Sequence, residues 1–186
     1  MRAARTNQVR IIGGALRRRH LRFPDLPGLR PTPDRVRETL FNWLGQDLHG
    51  LHCLDAFAGS GALGFEAASR GAARVLMLER DAQALAALRG NAKILEIGNV
   101  EILGADAMGF LAAPGDAFDV IFLDPPFASQ QIVPALRAAA THLRPDGRIY
   151  AESGAPLPEA ELAAAGLGVL RQGRAGHSHY WLLERS

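Results

Sequence analysis

Two stretches of this chain hold residue types that could do chemistry, and each closes a short apolar run with an aspartate. The first is Leu51-His-Cys-Leu-Asp-Ala-Phe-Ala-Gly-Ser-Gly-Ala-Leu-Gly64. A strand that feeds a glycine-rich turn and then a helix aims backbone N–H groups at whatever lies over the turn, which is how α/β proteins cradle nucleotide-like ligands. Gly59, Gly61 and Gly64 satisfy the pattern G-x-G-x-x-G, with Glu79 at a suitable distance for a ribose contact, so a nicotinamide cofactor and an oxidoreductase are one reading. Asp55 favours another. A carboxylate where the strand meets the loop repels a pyrophosphate and favours a ligand carrying positive charge there. S-adenosylmethionine has a sulfonium, an amino group and ribose hydroxyls that need an acceptor, and the set Asp55, Phe57, Gly59, Gly61 and Glu79 suits it better.

The second stretch is Asp124-Pro125-Pro126-Phe127, directly after the apolar run 120–123. The exocyclic amine of a nucleobase is a poor nucleophile because its lone pair is delocalised into the ring. It must be held so that the lone pair turns toward an electrophile. The Asp124 carboxylate and the Pro125 carbonyl offer two acceptors for the amine hydrogens, and Pro125 and Pro126 stiffen the loop that carries them. Phe127 supplies an apolar face on which an unpaired or flipped base can stack. Methyl transfer between such groups needs mainly positioning.

Other candidates are weaker. Asp106 should follow a strand on the ligand side, where it could accept from an adenine amine or simply cap the next helix. His177 and His179 alternate on a presumed strand with no Cys or carboxylate cluster nearby in sequence, so no metal is expected. Cys53 reads as a small buried hydrophobe and Asp119 as a surface acid.

These residues need elements to position them. From residue 51 onward strands and helices alternate: strands at 51–55, 74–79, 99–103, 118–124 and 147–152, and helices at 62–70, 81–96, 107–113 and 129–143. The continuous apolar runs 75–78 and 120–123 fit strands covered on both faces. We expect an α/β, Rossmann-like, doubly wound and mostly parallel seven-stranded sheet, closed by an antiparallel C-terminal hairpin that turns near 173–176. Upstream, Thr32-Pro33-Asp34 reads as an N-cap, a first-turn proline and a first-turn acid, and Val36, Leu40, Phe41 and Leu44 as the buried stripe of the helix that follows. That helix bridges the N-terminal arm and the cradle. Arg35 or Arg37 could reach the rim of the site, or pair with Asp34 or Glu38 within the helix.

The net charge of +2 is unevenly spread: residues 1–40 hold ten Arg against three acids, and the remainder eleven Lys and Arg against sixteen acids. Such an excess is an electrostatic footprint for nucleic acid. Residues 8–23 read as a β-hairpin with Val9, Ile11 or Ile12, Leu21 and Phe23 inside and a basic outer face. Arg10, Arg17, Arg18, Arg19 and Arg22 are its candidate phosphate contacts, joined at the rim by Arg35. We therefore divide the chain into a basic N-terminal hairpin and connector, 1–31, and a catalytic domain, 32–186. An apolar content of 48%, no membrane-length apolar run, no leader-like segment and a single cysteine point to a cytoplasmic protein. We expect a monomer.

Asp55-Ala-Phe-Ala-Gly-Ser-Gly61 and Asp124-Pro-Pro-Phe127 together resemble the class I S-adenosylmethionine methyltransferases that modify exocyclic amines. Arg10-Ile-Ile-Gly-Gly14, Gly28-Leu-Arg-Pro-Thr32 and Asp34-Arg-Val-Arg-Glu-Thr-Leu-Phe-Asn-Trp-Leu44 narrow the resemblance to the RsmD family of bacterial 16S ribosomal RNA guanine-N2 methyltransferases. The resemblance implies that Asp55, Gly59 and Gly61 hold the methionine end of the cofactor, Glu79 its ribose, and Asp106 with Ala107 its adenine. It implies that residues 124–127 receive the guanine and that the hairpin grips 16S rRNA within an assembled small subunit. The Asp-Pro-Pro-Phe box is shared with DNA adenine and cytosine amino-methylases, so a DNA enzyme is the neighbouring alternative.

Overall fold

The computed structural model describes residues 6–186. Arg2 and Arg5, which contribute to the basic excess, lie outside the described residues. β1 (Thr6–Arg10) and β2 (His20–Pro24) pair antiparallel as the expected hairpin. After a connector come α1 (Asp34–Trp43), β3 (His52–Asp55), α2 (Ala62–Ser69), β4 (Arg74–Glu79), α3 (Ala82–Leu95) and β5 (Val100–Gly104). The chain continues through α4 (Ala107–Ala112), β6 (Phe118–Leu123), α5 (Ile132–Thr141), β7 (Leu143–Ser153), α6 (Glu159–Ala164), β8 (Leu167–Ala175) and β9 (Ser178–Arg185).

The main sheet has the order β5-β4-β3-β6-β7-β9-β8. Its first five strands are parallel and the β8–β9 hairpin closes it antiparallel. Alternation of side chains along each strand divides the core into two layers. Cys53, Val75, Met77, Val120, Phe122, Tyr150 and Tyr180 face a layer with Phe41 of α1, Phe65 of α2, Leu88 of α3 and the hairpin residues Val9, Ile11, Leu21 and Phe23. Leu54, Leu76, Leu78, Ile121, Ile149, Ala151 and Trp181 face the other, with Leu111 of α4, Leu136 of α5 and Leu162 of α6. The hairpin thus shares its apolar layer with the sheet.

Four local expectations change. Thr32 does not cap α1: the N-cap position is Pro33, and the Thr32 hydroxyl instead donates to Glu152 Oε1 at 2.9 Å, because that buried carboxylate needs donors. α5 starts three residues late, since residues 127–129 form a 3-10 turn and Gln130 takes a left-handed φ of 52°. β7 begins at Leu143, and residues 145–147 are an irregularity within it, where pairing jumps from Phe118–Leu143 to Val120–Arg148. α6 is an added helix in a stretch whose Ala, Gly and Pro gave no sign of it.

Candidate active site

β3 and β6 are hydrogen-bonded neighbours at the point where the strand order reverses, which is where open α/β sheets bind ligands. Asp55 pairs with Phe122, two residues before Asp124. Ala151 of β7 pairs with Leu123, so Glu152 comes level with Asp124. Because side chains alternate, Asp55, Asp124 and Glu152 share one face with Phe122 and Tyr150. Three adjacent strands therefore end in three carboxylates, and among the described residues none of the three enters an ion pair.

Burial pushes the Asp55 carboxyl up to about 7, with the Glu79 charge adding and the Gly64 and Phe57 N–H groups opposing. Burial also holds Asp124 well above the usual carboxylate range, helped by the charges of Glu152 and Asp55. Glu152 is raised by burial, against hydrogen bonds donated by Tyr150, Thr32 and Ser178. Such a cluster favours a ligand that brings positive charge.

The glycine-rich loop between β3 and α2 is tied down by the acids beneath it. Gly64 N–H donates to Asp55 Oδ2 at 2.9 Å and Gly59 N–H to Glu79 Oε2 at 2.9 Å, while the other Glu79 oxygen accepts from Asp81 N–H at 2.8 Å. Gly59 and Gly61 have φ of 51° and 82°, in the left-handed region that disfavours other residues. A Cβ on Gly61 would meet the Phe65 ring at 2.6 Å. Phe57, half-buried, flanks this turn. Asp106 caps α4 through Gly109 N–H to Oδ2 at 2.9 Å, with Oδ1 3.7 Å from Arg80, and Ala107 is buried behind it.

On the other side of Asp124, the Pro126 carbonyl is taken by Ser129 N–H at 2.9 Å and the Ser129 hydroxyl at 2.6 Å, which fixes the turn. Phe127 is 50% exposed. It packs against the backbone of Gly154, where a Cβ would lie 3.1 Å from the ring. A half-exposed phenyl held this way presents an apolar face beside Asp124.

The family model described as Conserved hypothetical protein 95 matches residues 9–184, spanning the hairpin, the cradle and the Asp124 loop. The chain belongs to that family. Two relatives named ribosomal RNA small subunit methyltransferase D bear out the RsmD resemblance of the motifs. The protein of Escherichia coli K12 is 52% identical over 122 residues, which cover 66% of this chain and 62% of that protein. The protein of Haemophilus influenzae is 45% identical over 154 residues, covering 78% of this chain and 79% of that one. The matched stretch thus spans less than two thirds of the Escherichia coli relative. The solved structure of the Escherichia coli protein yhhF superposes with a TM-score of 0.84 at 39% identity, covering 96% of this chain and 98% of that chain. The fold is the Rossmann-like fold of class I methyltransferases.

In this RsmD-family chain the basic residues divide into two groups. Arg17, Arg18, Arg19 and Arg22 of the hairpin are exposed, as is Arg35 on α1. Arg10 is also exposed but is paired with Asp34 at 2.6 Å. Arg37, a candidate for the rim, is fully buried instead and pairs with Asp34 at 2.5 Å and Glu66 at 3.2 Å. Burial lowers its guanidinium pKa, and the two acids oppose that.

Pattern alone does not reveal the roles of Glu66, Thr32 and Glu152, because Glu66 takes Gly13 N–H from 53 residues away and Glu152 takes the Thr32 hydroxyl from 120. Asp119 is more than a surface acid, accepting from His52 N–H at 2.7 Å and Arg144 at 2.8 Å to staple the far end of β6. Cys53 is fully buried and its thiol is pushed up to about 12, chiefly by burial. Among the described residues no group of His, Cys, Asp or Glu is placed to hold a metal ion, and no helix is long and apolar enough to cross a membrane.

Proposed function

We propose that this protein transfers a methyl group from S-adenosylmethionine to the exocyclic N2 amine of a guanine in 16S rRNA of the bacterial small ribosomal subunit. It acts in the cytoplasm as a monomer and without a metal. One observation carries the proposal: the strand ends bearing Asp55 and Asp124 are adjacent in register, so a donor held over one lies beside an amine held at the other. The names of the relatives support ribosomal RNA as the substrate.

The residues fit the cofactor. When bound, S-adenosylmethionine supplies an electrophilic methyl on a sulfonium. Asp55 sets a negative potential beneath the glycine loop, and Glu79 has lone pairs left for ribose hydroxyls. Asp106 and the first backbone N–H of α4, at Ala107, suit the adenine edge. A dinucleotide fits poorly, because its pyrophosphate would lie over a row of carboxylates. Asp124 and the Pro125 carbonyl accept the amine hydrogens and turn the lone pair outward, while Phe127 stacks on the base. Residues 1–31 form the RNA grip, with Arg17, Arg18 and Arg19 on phosphates.

The test is transfer of labelled methyl to unmodified small subunits, naked 16S rRNA and duplex DNA, followed by nucleoside mass spectrometry. N2-methylguanosine from small subunits is expected, and preferential labelling of DNA would refute the assignment. In a binding titration with small subunits over a range of salt, replacing Arg17, Arg18 and Arg19 together by alanine should weaken RNA binding and flatten its salt dependence by roughly two to three in log–log slope. Arg10→Ala should matter less, since its charge is already paired with Asp34.

Cofactor affinity should depend on pH. With Asp55 at about 7 in the ligand-free protein, seating a cation beside it favours the carboxylate and expels a proton. Affinity is then flat above that value and falls below it, by at most about tenfold per pH unit for one proton. Calorimetry from pH 5.5 to 8.5 in buffers of different ionisation enthalpy measures both effects. S-adenosylhomocysteine, without the sulfonium, should give the shallower slope, and equal slopes for the two would show that the carboxylates do not sense the sulfonium.

A further inference from the structure

Glu152 has no part in the chemistry described so far, yet it is 4% exposed at the carboxyl end of β7 and level with Asp124. An isolated acid there would be costly unless something held its charge. Three hydroxyls from three parts of the chain do so. Thr32, in the connector that follows the hairpin, donates to Oε1 at 2.9 Å, and Tyr150 donates to the same oxygen at 2.8 Å. Ser178, at the start of β9, donates to Oε2 at 3.2 Å. Hydrogen bonds donated to a carboxylate favour its ionised form. These donors favour the charge of the pair on Glu152 and a proton entering it on Asp124.

We propose that Glu152 is a positioning residue for methyl transfer: ionised and clasped by three hydroxyls beside Asp124, it makes Asp124 the acceptor of the proton that leaves the guanine amine. The inference rests on the activity proposed above. In the step, the N2 lone pair forms the bond to the methyl carbon as the sulfur–carbon bond breaks, and that electron pair stays on sulfur as a neutral thioether. The N2 proton passes to an Asp124 oxygen. One cation and one carboxylate are consumed together, so the products are neutral at the reacting atoms. The titratable groups facing Glu152 are Asp124 on β6, with Asp55 beyond it on β3, Tyr150 on its own strand and Tyr180 across from it on β9. None is a cation, so among the described residues no protein group there offsets the pressure that Glu152 puts on Asp124.

The experiment is the pH profile of single-turnover methyl transfer to small subunits, in wild type and in Glu152→Gln, with cofactor saturating. Removing the neighbouring charge lowers the basicity of Asp124, so the acid limb of the profile should move to lower pH by about one unit. The plateau should fall as well, as expected for a weaker base. A structural role alone would lower the plateau and leave the limb in place, and that result overturns the proposal. Ser178→Ala removes one donor with little change in volume and should move the limb the same way by less. It carries the test if Glu152→Gln does not fold, and an unmoved limb in it counts against the proposal equally. If wild type fails to methylate small subunits, the activity assignment is at fault; a wild-type signal with unmoved limbs faults Glu152 alone.

Discussion

Asp124→Ala is expected to lower the single-turnover rate of methyl transfer about a thousandfold, the scale of losing a preorganised acceptor together with a general base. The amine would be left with the Pro125 carbonyl as its acceptor, and its lone pair would no longer be aimed. Cofactor affinity should change little above neutral pH, because the loop is held by Asp55 through Gly64 and by Glu79 through Gly59. Asp124→Asn keeps an acceptor oxygen and the side-chain shape but cannot take a proton, so its rate should fall between wild type and the alanine variant. Rapid-quench transfer of labelled methyl measures the rate, and calorimetry with S-adenosylmethionine the affinity. An alanine variant within about threefold of wild type would exclude Asp124 from the reacting centre, since a change that small is under about 1 kcal/mol of transition-state stabilisation.

Asp55 and Asp124 were legible because both end apolar runs, and a run bounded by a turn marks the carboxyl end of a parallel strand. Residues 75–78 and 120–123 are buried on both faces, as their unbroken apolarity requires. Asp106 was readable as a cap for a local reason: its partner, Gly109, lies three residues on. Pattern fails where the partner is remote. Thr32 has every local mark of an N-cap, yet the buried carboxylate of Glu152, 120 residues away, takes its hydroxyl. Glu66 has ordinary helical neighbours, and nothing nearby announces that the hairpin loop will lie across α2. The pairs Arg37–Asp34 and Arg37–Glu66 illustrate both cases, the first local and foreseeable, the second not.

Glu66 leads to the largest stability effect expected in the molecule. It is wholly buried, and its carboxylate meets four donors from three segments. Gly13 N–H donates to Oε1 at 2.7 Å and Arg70 Nε to the same oxygen at 2.9 Å. Ile12 N–H donates to Oε2 at 2.9 Å and Arg37 Nη1 at 3.2 Å. Glu66→Ala leaves a fully buried guanidinium, a nearly buried one and two backbone N–H groups without their acceptor. Breaking a buried pair in this way costs about 3–5 kcal/mol, or roughly 10 °C in Tm for a chain of this size. Arg37→Met should cost less, since the carboxylate keeps Arg70 and both amides, and Arg37 has a second acid in Asp34. That order follows from counting what each change leaves uncompensated, and equal losses would contradict it. The damage should also be local. Ile12 and Gly13 lie in the loop that joins β1 to β2, so hydrogen exchange at their amides should rise before exchange in β3 and β6. RNA affinity should fall by more than cofactor affinity. A Glu66→Ala protein within about 1 kcal/mol of wild type, below the range for a buried pair, would mean that the apolar face of the hairpin, through Ile11 and Leu21, holds it on α2 without the ionic clasp.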